Sequence, residues 1–139
     1  MMEKQRVLFL CTYNSARSQI AEGLLRHLFG EEYEAFSAGV SPLAVSSYAV
    51  TVMSEIGIDI SKQRAKSVED FRQMRFDSVI TVCDNAKETC PFFPDATEVI
   101  HKAFDNPSGF GVTEEEILNG FRRIRDEIKN HIIEKFGKV

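Results

Sequence analysis

A cysteine, an arginine and a serine lie close together near the start of the chain, in the spacing Cys11-x5-Arg17-Ser18. The four residues before Cys11 are apolar and predict a buried strand, whereas the residues after Ser18 have the apolar spacing of a helix. The thiol is therefore expected where a strand ends, in a loop that leads into a helix. Backbone N–H groups in such a loop, together with the positive end of the helix, favour a bound oxyanion and the thiolate form of cysteine.

Each of these side chains has a chemical task in such a loop. The Cys11 thiolate is a nucleophile, the planar guanidinium of Arg17 can hold two oxygens of a phosphate-like group, and the Ser18 hydroxyl can bond to the thiolate. A buried structural cysteine is the simpler alternative, but it does not explain an arginine at this offset. We therefore predict an oxyanion site formed by Thr12, Tyr13, Asn14, Ser15, Ala16, Arg17 and Ser18.

Two further cysteines, Cys83 and Cys90, lie seven positions apart with polar residues between them. Cys83 follows another predicted strand. Because ligands bind at the carboxyl ends of parallel strands, Cys11 and Cys83 are expected at the same edge of the sheet. Three thiols can carry out a two-electron reduction, in which one attacks an oxidised centre, the second displaces the product as a disulfide forms, and the third moves that disulfide outward.

The elements that position these residues alternate between strands and helices. Apolar runs predict strands at residues 6–10, 33–37, 78–82 and 97–100. Helical spacing predicts helices at residues 15–29 and 44–56, and a long helix opened by a capping box of Thr113 and Glu116. The alternation predicts an α/β fold, a single domain over residues 1–139 in which a four-stranded parallel sheet carries helices on both faces.

Composition narrows the function classes. The chain has 139 residues, and its net charge of −4 implies no general attraction to nucleic acid or to a membrane. No apolar run approaches the roughly 18 residues of a membrane span, and the N-terminus lacks the pattern of a signal peptide. An odd count of three cysteines argues against a secreted disulfide framework. We therefore expect a cytoplasmic protein.

The loop from Cys11 to Ser18 resembles the signature loop of the low-molecular-weight tyrosine phosphatase superfamily. Further motifs are similar to the thioredoxin-linked arsenate reductases, a branch of that superfamily, and extend over nearly the whole chain: Ser37-Ala-Gly39, Gly57-Ile-Asp-Ile-Ser61, Cys83-x6-Cys90-Pro91 and the segment 121–128. The three-cysteine pattern is the most specific of these features. The resemblance implies a low-molecular-weight phosphatase-like fold and an arsenate reductase that acts as a monomer.

The resemblance also implies a reaction in three thiol steps. Arsenate would bind in the loop, with phosphate and sulfate as competing oxyanions, and Cys11 would attack the arsenic. Cys83 would then attack Cys11 so that arsenite leaves, and Cys90 would attack Cys83. Thioredoxin would reduce the resulting Cys83–Cys90 disulfide, so the electrons come from this partner and no bound cofactor is needed.

The chain departs from the family at two functional positions. Asn106 replaces the Asp that usually acts as general acid before a proline, which leaves Asp105 as the candidate acid; the simpler interpretation of Asp105 is a loop residue that caps a turn. Some relatives bind potassium through four residues, of which Asn14, Glu22 and Ser37 match three. Lys66 stands in the fourth place. An ammonium there can replace the cation, so we expect no metal.

Two other functions are compatible with the same residues. One is a phosphatase for tyrosine or small phosphate esters, in which the extra cysteines protect Cys11 as a reversible disulfide. The other is a non-catalytic sensor of oxyanions or of redox state. A zinc site is not expected, because the three cysteines lack the close spacing of structural zinc ligands.

Overall fold

The structure is a computed structural model that describes residues 3–83, 93, 96–109 and 111–137. Its strands are β1 (Gln5–Cys11), β2 (Tyr33–Gly39), β3 (Phe76–Thr81) and β4 (Ala96–His101). Its α-helices are α1 (Arg17–Phe29), α2 (Ser47–Ser54) and α3 (Glu114–Phe136), and two short 3₁₀ helices span Val68–Phe71 and Pro107–Gly109. In this described part of the chain, no helix combines the length and the apolar character needed to cross a bilayer.

The four strands form one parallel sheet in the order β2-β1-β3-β4, which confirms the predicted sheet. Strand β1 pairs with a neighbour on each side, and its residues from Val7 to Leu10 are completely buried. The carboxyl ends of β1 and β3 therefore lie side by side. Cys11 is the last residue of β1 and Cys83 follows β3 by two residues, so the prediction that they share one edge of the sheet is confirmed.

The two faces of the sheet are covered differently. Val7 and Phe9 belong to a core cluster to which all three α-helices contribute. Leu8 and Leu10, which alternate with them along the strand, belong to a second cluster that includes the 3₁₀ helix Val68–Phe71. Helices thus lie on both faces, as predicted, but among the described residues the second face has a 3₁₀ helix in place of α-helices. Edge-to-face phenylalanine pairs fill the second cluster, and their members are Phe36, Phe71, Phe76 and Phe93.

Polar side chains set the helix starts. The predicted capping box is confirmed, because Thr113 Oγ1 accepts the backbone N–H of Glu116 at 3.2 Å while Glu116 Oε1 accepts the backbone N–H of Thr113 at 3.0 Å. Helix α2 begins later than predicted. The hydroxyl of Ser46 accepts hydrogen bonds from the N–H groups of Tyr48 and Ala49, and this cap fixes the first turn of the helix there.

A buried arginine joins helices α2 and α3, which both reach the site. Arg125 Nη1 donates to the carbonyl of Val52 at 2.8 Å and to Glu55 Oε1 at 3.0 Å. Arg122 binds the same carboxylate through two nitrogens. These hydrogen bonds, chiefly those from Arg122, hold the pKa of Glu55 below its usual range. The cluster holds together α2 and α3, each of which contributes a residue to the lining of the pocket described next.

Candidate active site

The loop between β1 and α1 is fixed by its carbonyl groups. Those of Thr12, Tyr13 and Ser15 accept hydrogen bonds of 2.8 to 2.9 Å from N–H groups in the segment 41–46. Because a trans peptide points its C=O and N–H in opposite directions, the N–H groups that follow these carbonyls turn away from that segment. Gly39 packs so close to the loop that a Cβ atom there would lie 2.7 Å from the Thr12 carbonyl oxygen, which explains the glycine.

Cys11 carries a free thiol that is only 2% exposed. Its Sγ lies 2.8 Å from Ser18 Oγ, and Asn14 Nδ2 donates to the same hydroxyl at 2.7 Å. Asn14 has a φ of 50°, in the left-handed region that asparagine tolerates better than most residues. The sulfur is thus held by a hydroxyl that is itself fixed by a second polar side chain.

Arg17 is the first residue of α1 and is 4% exposed. Its Nη1 donates to the carbonyl oxygen of Phe104 at 3.1 Å, which ties the loop to the segment after β4. The N-cap residue Ala16 makes no side-chain capping bond. The N–H groups of the first helical turn therefore keep their capacity to bind an anion at the loop.

The loop borders a pocket of about 340 Å³. Five of the eight predicted loop residues line it, namely Cys11, Tyr13, Ser15, Ala16 and Arg17. The other three loop residues are buried, namely Thr12, Asn14 and Ser18. The remaining lining residues are mostly aromatic or apolar, and they are Leu43, Ala44, Ser46, Tyr48, Asn106 and Phe121. The structure thus gathers the predicted loop residues around one pocket, while their roles toward a substrate stay predictions.

Asp105 does not share this pocket. Its Oδ2 lies 3.0 Å from Arg123 Nη2 in an ion pair whose two side chains are each about half exposed. The neighbouring Asn106 lines the pocket instead. The two residues alternate in direction along this segment, so an acid at position 105 faces α3 and solvent. The role of general acid for Asp105 stays a prediction that this geometry does not favour.

A buried carboxylate stands behind the loop. Glu22 is 4% exposed and accepts hydrogen bonds from Ser37 Oγ at 2.5 Å, from Arg26 Nη2 at 2.6 Å and from Lys66 Nζ at 3.3 Å. The expected contact of the Lys66 ammonium with this group is thus present. Within the described ranges, no three His, Cys, Asp or Glu side chains converge in a way that could hold a metal ion.

Cys83 is buried in the same core cluster as Cys11 and is disulfide-bonded. Its neighbour Val82 continues the sheet, donating to the carbonyl of Leu10 at 2.8 Å and accepting from the N–H of Phe104 at 3.1 Å. The end of β3 is therefore tied both to the strand that carries Cys11 and to the residue that holds Arg17. Cys90 lies outside the described residues, so the predicted Cys83–Cys90 pair stays a prediction.

Sequence reasoning missed two residues that hold the site together. Phe104 contributes its carbonyl oxygen to Arg17, and a main-chain contact gives no signal in a side-chain pattern. Gln19 is completely buried, although it lies on a helix start where a polar residue is usually exposed. Its partners include the backbone carbonyl groups of Asn14 and of Arg64. Because Arg64 is far away in the sequence, no local pattern indicates this contact.

Known proteins resemble the chain over nearly its whole length. The family model described as low molecular weight phosphotyrosine protein phosphatase matches residues 6–137. The arsenate reductase of Halalkalibacterium halodurans is 42% identical over 131 residues, which cover 94% of this chain and 94% of that protein.

Two solved structures extend the comparison to the fold. One, described as an arsenate reductase in the phosphate binding state, has a TM-score of 0.80 and 29% identity over 94% of this chain and 95% of that chain. The other, a thioredoxin-dependent arsenate reductase of Corynebacterium glutamicum, has a TM-score of 0.64 and 28% identity over 93% of this chain and 62% of that chain. The chain therefore belongs to the low molecular weight phosphotyrosine protein phosphatase family, in which it groups with proteins named arsenate reductase.

Proposed function

We propose that this protein reduces arsenate to arsenite through a relay of three thiols and that thioredoxin reduces the disulfide in which the relay ends. The observation that carries the proposal is the shared sheet edge, where the hydrogen-bonded Cys11 thiol and Arg17 lie beside the strand end that leads to Cys83. The relatives named arsenate reductase, one of them thioredoxin-dependent, support the same activity.

The first step uses the loop as an oxyanion site. Arsenate is tetrahedral and anionic like phosphate, and the pocket offers it the Arg17 guanidinium and the open start of α1. The Cys11 thiolate attacks arsenic, and one arsenate oxygen leaves as water after taking up protons. A bond between Cys11 Sγ and arsenic has then formed, with arsenic still As(V). Phosphate and sulfate compete for this site because they offer the same oxygen geometry.

The next two steps carry the electrons. The Cys83 thiolate attacks Cys11 Sγ, the sulfur–arsenic bond breaks, and its electron pair stays on arsenic, which leaves as As(III) in arsenite. The Cys90 thiolate then attacks Cys83, so that Cys11 is released as a thiolate and a Cys83–Cys90 disulfide remains. The states of two cysteines in the structure support this final disulfide, because Cys11 is a free thiol whereas Cys83 is disulfide-bonded.

The electrons of the proposed reaction balance without a bound cofactor. Reduction of arsenate to arsenite takes two electrons, which is what one new disulfide supplies. A thioredoxin dithiol restores the two protein thiols by exchange. All three cysteines belong to one chain, so we also propose that the active unit is a monomer.

The experiment is arsenate-dependent oxidation of NADPH in the presence of purified thioredoxin and thioredoxin reductase, with the parent protein compared with Cys90→Ser. We expect steady turnover in the parent and its loss in the variant. Single-turnover arsenite release should persist in Cys90→Ser, because the Cys11–Cys83 disulfide can still form. Absence of arsenate-dependent NADPH oxidation in the parent would sink the proposed thioredoxin-coupled reductase.

A second candidate function is hydrolysis of aryl phosphates. The observation in its favour is the pocket wall formed by Tyr13, Tyr48 and Phe121, which offers an aromatic ring a surface beside Cys11. Against it stands Asn106, since an amide cannot protonate the leaving phenolate. We expect weak hydrolysis of para-nitrophenyl phosphate that survives Cys90→Ser, because hydrolysis requires neither of the later thiols.

A further inference from the structure

We propose that Gln19 is a positioning residue that sets the direction of the hydrogen bonds ending at the Cys11 thiol. Gln19 lies in the first turn of α1 with no solvent exposure. Its side chain connects the loop to the segment 61–66, which approaches α1 from elsewhere in the sequence. The inference rests on the proposed role of Cys11 as nucleophile and deepens it.

Backbone carbonyl groups fix the orientation of the Gln19 amide. Its side-chain nitrogen lies 3.0 Å from the carbonyl oxygen of Asn14 and 2.8 Å from that of Arg64. A carbonyl can only accept, so the group that faces both of them is the NH₂. The side-chain oxygen of Gln19 therefore faces Gln63, whose Nε2 donates to it at 2.7 Å.

The amide of Asn14 is oriented by the same logic. Its Oδ1 accepts from the backbone N–H of Lys66 at 2.8 Å and from Gln19 Nε2 at 2.9 Å. Because a backbone N–H can only donate, the Asn14 NH₂ must face Ser18, to which it donates at 2.7 Å. The Ser18 oxygen acts as acceptor in that bond. When Cys11 is a thiolate, its Sγ has no proton, so the Ser18 hydroxyl must be the donor in the 2.8 Å contact between the two side chains.

Gln19 thus holds Asn14 at two points. It is one of two donors that keep Asn14 Oδ1 turned away from Ser18, and it also binds the carbonyl of Asn14, whose backbone has the left-handed φ of 50°. A hydroxyl that donates to sulfur stabilises the thiolate relative to the thiol. Loss of Gln19 should therefore weaken that hydrogen bond. This effect should be smaller than the effect of removing the Ser18 hydroxyl, because the backbone N–H of Lys66 still donates to Asn14 Oδ1.

The test is the rate at which iodoacetamide alkylates Cys11 as a function of pH, followed by mass spectrometry of the tryptic peptide 7–17, in which Cys11 is the only cysteine. The variants are Gln19→Met, Ser18→Ala and the double variant. Gln73→Met is the matched control, because it makes the same substitution at an exposed position. No arsenate is present, so the result does not depend on whether the protein reduces arsenate.

We expect Ser18→Ala to slow alkylation at pH 7 about tenfold and Gln19→Met about threefold, each by moving the half-maximal rate to higher pH. Gln73→Met should follow the parent. In the Ser18→Ala background, Gln19→Met should have no further effect, because Gln19 acts through that hydroxyl. An unchanged pH profile in Gln19→Met, or a full additional loss in the double variant, overturns the proposal.

Circular dichroism and thermal unfolding check that Gln19→Met folds, since Gln19 is buried. If it does not fold, Gln19→Ala replaces it in the same cycle, because it removes the same donor without adding charge or bulk. An effect of Gln19→Ala that persists in full in the Ser18→Ala background overturns the proposal. Should the cycle hold while arsenate reduction fails, the positioning role stands and the proposed reductase function falls.

Discussion

The loop from Cys11 to Ser18 and the segment from Phe104 to Pro107 face the same pocket but are built in opposite ways. In the loop, polar side chains are buried and bonded to one another, as Asn14 and Ser18 are. In the segment, the one carboxylate is exposed and paired with Arg123 on the surface. This difference agrees with the proposed function, in which the site binds an oxyanion and holds a thiolate but contributes little to protonating a leaving group.

Replacing the nucleophile should have the largest effect. Cys11→Ser removes the thiolate, and a serine hydroxyl is far less acidic and cannot form the later disulfide. We expect arsenate reduction to fall at least about a thousandfold, to background. The fold should stay intact, as circular dichroism will check, because Ser and Cys are nearly the same size. Turnover in Cys11→Ser above a few per cent of the parent would contradict the role of the loop.

Replacing the Arg17 guanidinium should have the second-largest effect on arsenate reduction. Arg17→Lys keeps the charge but loses the planar fork and the bond to the Phe104 carbonyl. We expect kcat/KM for arsenate to fall by about a hundredfold. The measurement is steady-state arsenate reduction, with Arg75→Lys as a control that makes the same substitution at an exposed position and should keep the kcat/KM of the parent. An Arg17→Lys protein with the kcat/KM of the parent would show that the fork is not used.

One substitution should give the segment from Phe104 to Pro107 the carboxyl group that it does not present to the pocket. Asn106→Asp places a carboxyl group in the pocket that Cys11 and Arg17 line, and we expect hydrolysis of para-nitrophenyl phosphate to rise about a hundredfold. Asp105→Asn is the matched control, since it breaks only an exposed ion pair. It should change arsenate reduction and para-nitrophenyl phosphate hydrolysis by less than about twofold. A large loss of either activity in Asp105→Asn would instead indicate that Asp105 is the general acid.

The smallest predicted effect is on stability and concerns His131, which packs against Phe104 in the segment from Phe104 to Pro107. The ring of Phe104 packs on His131 with centroids 6.0 Å apart, and His131 Nε2 is buried without a hydrogen-bond partner among the described residues. Burial lowers the pKa of His131, and Lys102 and Lys135 lower it further. As pH falls through about 6.5, the unfolded chain takes up a proton that the folded protein resists, so the folded state loses stability.

We therefore expect the melting temperature to fall between about pH 7.5 and about pH 5.5 by more in the parent than in His131→Leu. His27→Leu is the control at an exposed histidine and should keep the pH dependence of the parent. Parallel pH profiles for the parent and His131→Leu would show that His131 titrates alike in both states.

The sequence predicted the elements whose signals are local. The apolar run before Cys11 and the capping box at Thr113 give the central strand β1 and the start of α3 close to their observed positions. The start of α2 was missed because Ala44 and Val45 fit a helical spacing, whereas the Ser46 hydroxyl determines where the helix begins. Hydrophobic periodicity does not record which polar side chain makes the cap.

Within the site, the sequence located the loop but not what supports it. The spacing of Cys11 and Arg17 is enough to predict an oxyanion site, because both residues lie in one short loop. The orientation of Asp105 depends on Arg123 in α3, and the Gln19 network depends on the backbone of Arg64. These contacts join residues far apart in the chain, so only the folded structure reveals them.

The most direct test of the three-thiol relay is a single turnover of the fully reduced protein with arsenate in the absence of any external reductant. Arsenite is counted by mass spectrometry of the released arsenic, and free thiols are counted before and after. We predict one arsenite per chain and a fall from three free thiols to one, with Cys11 as the thiol that remains. Absence of arsenite, or arsenite formed without loss of thiols, would contradict the relay.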